Sequence, residues 1–294
     1  MTLQFEPIDL ERQQDYLALL ARCPQAASDY SFLNLWAWAD EYGLDWAWDG
    51  TLVWIRQTRP ETVSWAPVGP WDEFDWPARF PAVDAQGRTF TRVPEKLADI
   101  WGQNYGKQAR VSPERGNWDY VYAASDLIEL PGNRYHKKKN LINQFTKSTD
   151  FTYTDFTRQT IDQAMAMQED WCAWRDCESS EVLAAENRAI VRVLDRWEHF
   201  AHILGGALYV DQIIVAYTLA EPLTADTLVV HFEKGCPDYK GVYQAINQMF
   251  LARAASGYRF VNREQDLGNE GLRKAKLSYH PVSFVKKFRV AFGA

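Results

Sequence analysis

Residues 262–280 read NREQDLGNEGLRKAKLSYH and concentrate charged and amide side chains in a single short segment. The apolar run at residues 258–261 comes directly before this segment and predicts a buried strand. A strand that ends in several polar residues brings them to the edge of a sheet, where ligands bind in open α/β folds. The segment therefore predicts a ligand site at a strand end. A charged loop held by internal salt bridges is the alternative interpretation.

Around this segment, the second half of the chain predicts an ordered series of elements. The order is strand, two helices, three strands, helix, strand, short helix and strand. The predicted elements lie at residues 151–156, 158–174, 180–197, 201–210, 211–221, 226–235, 242–256, 258–262, 270–276 and 282–292.

The first half of the chain predicts the same order of elements without sequence identity to the second half. Asp49-Gly50 lies between two strand patterns and indicates a hairpin, and Pro94 opens a helix. This order is the layout of the acetyltransferase-type (GNAT) fold, an α/β fold with a mixed sheet flanked by helices. We predict two tandem GNAT-like domains, at residues 1–128 and 150–294, joined by a basic helix at 129–149.

Composition and cysteine spacing exclude several classes of protein. The 294 residues carry a net charge of -7, which argues against a protein coated with basic surface for DNA. No cysteine pair or Cys/His cluster has zinc spacing, so we expect no metal site. Without a signal-peptide pattern, the four cysteines predict reduced thiols in a cytoplasm. No apolar run approaches the ~20 residues of a membrane helix, so at most peripheral membrane contact is expected.

Five strings of residues together resemble a bacterial family that is related to the C-terminal catalytic domain of phosphatidylglycerol lysyltransferases. The strings are YSFLNLWAW (30–38), RYHKKKNLINQF (134–145), HFEKG (231–235), KGVYQAINQMF (240–250) and NREQDLGNEGLRKAKLSYHP (262–281).

This resemblance covers nearly the whole chain and implies a tandem GNAT-like fold, akin also to Fem-type aminoacyltransferases. Such relatives move an amino acid from a charged tRNA to a lipid or a peptidoglycan precursor. The donor substrates that the resemblance and the fold imply are therefore aminoacyl-tRNA or acyl-CoA. The implied acceptor is a small molecule, a lipid or a peptide.

Candidate catalytic residues lie at the ends of two strands that are neighbours in a GNAT-like sheet. His231 and Glu233 alternate onto one face of the strand at 226–235, and Asn262 and Glu264 share a face of the next strand. Neighbouring strands of this kind diverge, and donor and acceptor meet in the gap between them.

Glu233 and Glu264 would line this gap, and either carboxylate could take a proton from an attacking amine. Asn262 and Arg263 would position the acceptor or polarise the carbonyl. The alternative is that Glu233 forms a structural ion pair with Lys234 or Arg263.

The turn KGCPDYKG at residues 234–241 precedes a helix. Free backbone N–H groups at a helix start bind phosphate or carboxylate, so Lys234, Gly235, Lys240 and Gly241 are candidate donor-binding residues. A plain turn and helix start is the alternative. The coenzyme A signature of this fold places Arg or Gln and a small residue where this chain has Asp238 and Tyr243, which disfavours a standard acetyl-CoA site.

The helix at residues 134–148 begins with a block of four basic residues, followed by the apolar positions Leu141, Ile142 and Phe145. This pattern predicts a half-buried helix whose positive end can bind phosphate, an RNA backbone or an anionic head group. A solvated face is the alternative. The candidate donor-binding residues here are His136, Lys137, Lys138 and Lys139.

The acceptor site is predicted from a second group of polar residues. Tyr243 and Asn247 lie one helical turn apart and face the same side, and the remaining three follow the strand at 258–262. Those three are Asp266, Arg273 and Lys276.

The sequence thus predicts an acyl- or aminoacyl-transferase that moves its group to an amine or hydroxyl without a covalent enzyme intermediate. The alternative is a binding module that keeps the cleft without the reaction and binds a nucleotide metabolite or RNA. Neither interpretation fixes the oligomeric state.

Overall fold

A computed structural model of the chain describes residues 3–293. The helices are α1 (Gln13–Leu20), α2 (Phe32–Tyr42), α3 (Trp76–Arg79), α4 (Ala82–Ala85), α5 (Glu95–Tyr105), α6 (Ala124–Glu129), α7 (His136–Ser148), α8 (Arg158–Arg175), α9 (Glu181–Asp195), α10 (Val242–Ala254) and α11 (Glu270–Leu277). The strands are β1 (Glu6–Pro7), β2 (Leu44–Trp48), β3 (Val53–Gln57), β4 (Val63–Trp65), β5 (Thr89–Pro94), β6 (Ala109–Pro113), β7 (Asp119–Ala123), β8 (Thr152–Asp155), β9 (Leu204–Val210), β10 (Ile213–Thr224), β11 (Thr227–Gly235), β12 (Phe260–Asn262), β13 (Ser283–Val285) and β14 (Lys287–Phe292).

The chain divides into two compact units that interleave along the sequence. Unit 1 contains the chain up to Tyr120 together with Gln265–Lys274 and the segment from Phe284 onward. Unit 2 contains Val121–Glu264 and Ala275–Ser283. The predicted domains, in contrast, had a single junction around the basic helix.

Unit 1 is built on a sheet with the strand order β1-β2-β3-β4-β5-β14-β6. The hairpin predicted at Asp49-Gly50 is present, because β2 and β3 pair antiparallel up to Trp48 and Val53. The Asp49 carboxylate accepts hydrogen bonds from two backbone N–H groups of the turn, which fixes its geometry. Strands β4 and β5 pair parallel. Large side chains with almost no exposure fill this core, among them Trp46, Trp71, Trp76 and Trp101.

A cluster of four buried charges stabilises unit 1. Lys287, at the start of β14, pairs with Asp29 and also with Asp119, at 2.6 Å. Arg92 forms a second ion pair with Asp29. Two cations therefore balance two carboxylates, as burial of charge requires.

The second sheet has the order β13-β7-β12-β11-β10-β9-β8. Two predictions are corrected here. Strand β7, which lies within the first domain predicted at residues 1–128, pairs through Val121 with Asn262 of β12. The single strand predicted at 282–292 is two strands, β13 and β14, that belong to different sheets. The buried position of Lys287 accounts for the second correction, because β14 places this cation in the charge cluster of unit 1.

The turn after α8 contains a disulfide between Cys172 and Cys177. Asp176 ends the helix in the left-handed conformation, with φ at 51°, and this turn brings the two Cα atoms within 5.1 Å. The prediction that all four cysteines are reduced thiols is therefore wrong for this pair. Cys23 and Cys236 are free.

Helix α7 packs against the start of α10 in unit 2. Ile142 and Phe145 of α7 are buried, which confirms that the basic helix is half-buried. Gly241 precedes α10 with φ at +91°, and a Cβ there would lie 2.1 Å from the carbonyl oxygen of Leu141. Gly241 therefore allows the backbones of α7 and the turn to approach closely.

Replacing Gly241 with Ala should lower the unfolding free energy of the chain by about 2 kcal/mol or more, because the Cβ meets backbone at a positive φ. Gly257→Ala is the matched control in unit 2, since an added Cβ there meets nothing within 4 Å. Thermal unfolding followed by circular dichroism compares the two. Equal melting temperatures would contradict the close packing of α7 on this turn.

Candidate active site

The candidate site of unit 2 lies where the parallel strands β11 and β12 stop pairing. Val229 and Asn262 are their last paired residues. Immediately after Val229, the pairing of β11 with its other neighbour, β10, becomes irregular. The pairing of β11 with β10 shifts from Val230 to Phe232, so that His231 forms a β-bulge. The parallel pairing of β11 with β12 and the regular register of β11 with β10 are therefore both interrupted at this point.

The segment after β12 is held in an uncommon backbone conformation. Glu264 has φ at 56°, a value that side chains other than glycine adopt rarely. The side-chain oxygen of Asn262, which is fully buried, accepts a hydrogen bond of 2.8 Å from the backbone N–H of Glu264. Uncommon conformations of this kind concentrate at functional sites. The turn directs the Glu264 side chain towards the bulge.

His231 lies between two carboxylates. Its Nδ1 is 2.7 Å from Oε1 of Glu264, and its Nε2 is 3.1 Å from Oε1 of Glu221 on β10. Burial alone would lower the pKa of His231, but the hydrogen bonds to Glu221 and Glu264 raise it to about 9. The three side chains form the triad Glu221–His231–Glu264.

Glu233 belongs to a separate cluster. Its two carboxylate oxygens accept hydrogen bonds from Arg263, at 3.1 Å, and from Asn247 of α10, at 2.9 Å. The guanidinium of Arg263 also lies 4.9 Å from the ring centroid of Tyr279. This is the structural ion pair that the sequence offered as the alternative for Glu233.

His231 and Glu233 do not have partners on the same face of the sheet. Glu233 accepts a hydrogen bond from Asn247 on α10. His231 instead contacts Glu221 of β10, whose register partner on β11 is Val229, whereas the register partner of Glu233 on β10 is Thr218. Glu221 and Thr218 are three residues apart on β10 and therefore lie on opposite faces of the sheet. The expectation of one shared face is therefore wrong. Its physical reason is the bulge, which adds one residue to β11 and interrupts the alternation of side chains.

Lys138 of α7 is a half-buried cation beside another cation. Its ammonium lies 4.1 Å from the ring centroid of Tyr279. Partial burial, and then the positive charge of Arg263, lower its pKa below the ordinary value for lysine. Among residues 3–293, no carboxylate or carbonyl accepts a hydrogen bond from this ammonium. His136 and Lys137 are exposed in the same helical turn, and Lys139 is half-buried.

In unit 1, a tyrosine hydroxyl bridges the ends of the parallel strands β4 and β5. The parallel register of β4 and β5 ends at Trp65 and Thr91. Beyond it, the Tyr30 hydroxyl accepts from the Ala66 N–H and donates to the Arg92 carbonyl, both at 2.9 Å. The hydroxyl thus takes the place of the next interstrand hydrogen bond.

Neither unit shows a metal site or a membrane-spanning helix over the residues that the structure describes. No group of three or more His, Cys, Asp or Glu side chains there could hold a metal ion. Each ring nitrogen of His231 is within hydrogen-bond distance of a carboxylate, so neither nitrogen is directed at a position where a cation could also contact both glutamates. No helix within residues 3–293 is long and apolar enough to cross a bilayer.

A family model described as "Phosphatidylglycerol lysyltransferase, C-terminal" matches residues 20–291. The chain belongs to this family. An uncharacterised protein of Mycoplasmoides gallisepticum is 23% identical over 176 residues, which cover 58% of this chain and 55% of that protein. The chain thus matches about half the length of this curated relative.

Solved structures confirm the fold. A conserved protein of unknown function from Bacteroides thetaiotaomicron is 28% identical, with a TM-score of 0.89 over 99% of this chain and all of that one. L-PGS from Bacillus licheniformis is 14% identical, with a TM-score of 0.67 over 99% and 94%. A tandem GNAT protein from the clavulanic acid biosynthesis pathway is 10% identical, with a TM-score of 0.50 over 100% and 99%. The fold is a tandem GNAT-like α/β fold.

Within this family fold, two predicted donor-binding positions have structural partners. Lys234 is buried, its ammonium is 2.7 Å from Glu186 of α9, and it lies 3.7 Å from the ring centroid of Trp171. Gly235 packs against the Val242 and Tyr243 side chains. Lys240 in the same turn is exposed.

Several predicted acceptor-binding residues form hydrogen bonds with other residues of unit 2. Tyr243 accepts a hydrogen bond from Trp171, at 3.2 Å, while Asn247 is buried against Glu233. Their side chains thus have different partners although they lie one turn apart. The Lys276 ammonium donates to the carbonyl of Arg263, at 2.6 Å.

Asp266 and Arg273 form a bidentate ion pair in unit 1, with distances of 2.8 and 2.9 Å. Tyr120 also donates a hydrogen bond to Asp266, at 2.6 Å. Burial alone would raise the pKa of Asp266, but the hydrogen bonds from Arg273 and Tyr120 hold it below its usual value. The pair is the internal salt bridge that the sequence left open as an alternative.

Glu221, Tyr279 and the bulge at His231 were not predicted as parts of the site. A weak signal for Glu221 was available, because a carboxylate at the end of an otherwise apolar strand requires a partner when it is buried. No pattern in the sequence indicated the bulge.

Replacing Asp266 with Asn should lower the unfolding free energy by about 2 to 4 kcal/mol, because it removes a buried carboxylate with charged partners. The contribution of the carboxylate is present above its unfolded pKa of about 3.9 and is lost as the pH falls below that value. Urea unfolding at pH 7 and at lower pH measures both effects. The exposed Asp72→Asn is the control. Unchanged stability in Asp266→Asn would contradict the structural role.

Proposed function

We propose that the chain is a transferase that moves an acyl or aminoacyl group from a phosphate-bearing carrier to an amine or hydroxyl acceptor. The family and the tandem GNAT-like fold support transfer of this general kind. The carrier of the proposed reaction is aminoacyl-tRNA or an acyl-CoA. The acceptor is a small molecule, a lipid or a peptide.

The observation that carries the proposal is the placement of Glu264 just past the last paired residues of β11 and β12. Its side chain is 17% exposed, so solvent and a substrate can reach it, while its backbone is held by Asn262. A carboxylate fixed in this way can accept a proton from a bound acceptor. Glu264 is therefore the proposed general base.

In the proposed step, the nitrogen or oxygen of the acceptor attacks the carbonyl carbon of the donor, and Glu264 takes its proton. A new N–C or O–C bond forms, and the bond between the carbonyl and the carrier breaks. The leaving oxygen or sulfur of the carrier takes up the proton that Glu264 accepted, so that charge balances and Glu264 returns to its ionised form. No covalent intermediate with the chain is required.

Glu233 is less suited to this role because both of its oxygens accept hydrogen bonds from Arg263 and Asn247. We propose that Arg263 and Asn262 hold the site in shape. Arg263 forms the ion pair that fixes Glu233, and Asn262 forms the hydrogen bond that fixes the turn at Glu264.

The first turn of α7 is the proposed binding site for the phosphates of the carrier. Cations at a helix N-terminus are unfavourable because the helix dipole is positive there. Lys137 and Lys138 nevertheless occupy this turn next to His136, and Lys138 lies beside Arg263. A bound phosphate would relieve this repulsion and interact with the N-terminal N–H groups. Lys139 would add charge to the same anion.

Replacing Glu264 with Gln should lower kcat for acceptor-dependent release of the carrier by about 10²-fold or more, because the general base is lost. Binding of the donor should be retained, since the change is isosteric. The assay is single-turnover release from the aminoacyl-tRNA pool or from acyl-CoA. Exposed Glu198→Gln is the control. Collapse in Glu233→Gln but not in Glu264→Gln would assign the base to Glu233 and contradict the proposal.

Replacing Lys138 with Gln should weaken binding of the carrier by about tenfold, because one charge-assisted contact to phosphate is lost. The salt dependence of binding should also decrease by about one phosphate contact. The probes are uncharged bulk tRNA and coenzyme A. Lys147→Gln, an exposed change in the last turn of the same helix, is the matched control. Equal losses in both variants would indicate a diffuse charge effect and no site at the start of α7.

A further inference from the structure

The imidazole of His231 is enclosed between two acceptors. Its side chain has no solvent exposure, and each ring nitrogen is within hydrogen-bond distance of a different carboxylate. Glu221 reaches Nε2 from β10, and Glu264 reaches Nδ1 from the turn after β12. The bulge in β11 sets the ring between these two elements.

While both carboxylates are ionised, this geometry favours a ring that carries two protons. An ionised carboxylate only accepts hydrogen bonds, and a neutral imidazole has one N–H and one lone pair. A neutral ring would therefore direct its lone pair at one of the two carboxylates, which is repulsive. The imidazolium alone donates to both.

We propose that His231 is a positioning residue that remains an imidazolium and fixes Glu264 while Glu221 shares its positive charge. This inference rests on the proposed role of Glu264 as the base. His231 itself need not touch the substrate, because it acts through the carboxylate that it holds.

The second carboxylate has a specific purpose in this arrangement. An imidazolium paired with Glu264 alone would strongly stabilise the ionised form of that carboxylate and make it a poor base. With Glu221 on the opposite nitrogen, the positive charge serves two carboxylates, and the triad keeps a net charge of -1. Glu264 is thereby held in place and still able to accept a proton.

The charge state of His231 depends on the two groups that face it from the neighbouring elements, Glu221 of β10 and Glu264 after β12. Removing either carboxylate removes one of the two interactions that favour the protonated ring. Both changes should therefore shift its titration to lower pH, whereas a substitution elsewhere should not.

The direct test is nitrogen NMR of the chain labelled in its histidines, with the His231 signals assigned from their loss in His231→Gln. In the unaltered chain both ring nitrogens should carry protons at pH 7, with a titration midpoint near pH 9. In Glu221→Gln the midpoint should fall by more than about one pH unit. A single protonated nitrogen at pH 7, or a midpoint near 6.5 in both proteins, would overturn the charge state.

Activity supplies the second readout. Glu221→Gln should lower kcat by about tenfold or more with an unchanged KM for the donor, since the base is weakened while binding is not. The alkaline limb of its pH–rate profile should move to lower pH together with the NMR midpoint. If the pH–rate profile of Glu221→Gln is identical to that of the unaltered chain, the positioning role is overturned, although the transferase proposal stands.

The two readouts separate this inference from the proposed function. The expected NMR titration without any turnover would contradict the transferase proposal and also the positioning role that rests on it, but not the charge state of the ring. Turnover with a neutral ring at pH 7 would contradict the inference and leave the transferase proposal standing. If His231→Gln does not fold, the assignment can be made from Glu221→Gln by the one histidine signal set that shifts.

Discussion

The structure of the candidate site depends on the point at which the parallel strands β11 and β12 cease to pair. The register ends at Asn262, and the Asn262 side chain immediately bonds the N–H of Glu264. On β11, the bulge at His231 follows two residues after Val229, the register partner of Asn262. These two local irregularities bring a buried imidazole and two carboxylates together.

The two units treat equivalent strand ends in different ways. In unit 1, Tyr30 bridges the ends of β4 and β5, and Arg92 lies beneath the ring of Trp65, 4.5 Å from its centroid. Arg92 also has a positive φ of 56°. Its charge is balanced within the buried cluster of unit 1, and no substrate is needed to satisfy it. In unit 2 the comparable position carries Glu264, which retains exposure.

Much of this arrangement could be predicted from the sequence, and the failures have physical causes. Alternation of apolar residues located the strands, and the polar residues after β12 indicated where a candidate site lies. The half-buried basic helix followed from the apolar positions of α7. The bulge was not predictable, because it depends on how β10 pairs with β11. Asp266 and Arg273 satisfy each other across seven residues, and residue types alone do not distinguish this from ligand binding. The division of the last strand required knowledge of where Lys287 is buried.

The central claim is that unit 2 carries out group transfer and does not merely bind an anionic ligand. The most direct measurement mixes the unaltered chain with charged tRNA or acyl-CoA and a panel of amine and hydroxyl acceptors, and quantifies the free carrier and the acylated acceptor. Transfer predicts equal amounts of the two products, in excess of spontaneous hydrolysis. Binding of the same donors without acceptor-dependent release would contradict the claim and identify the chain as a binding module.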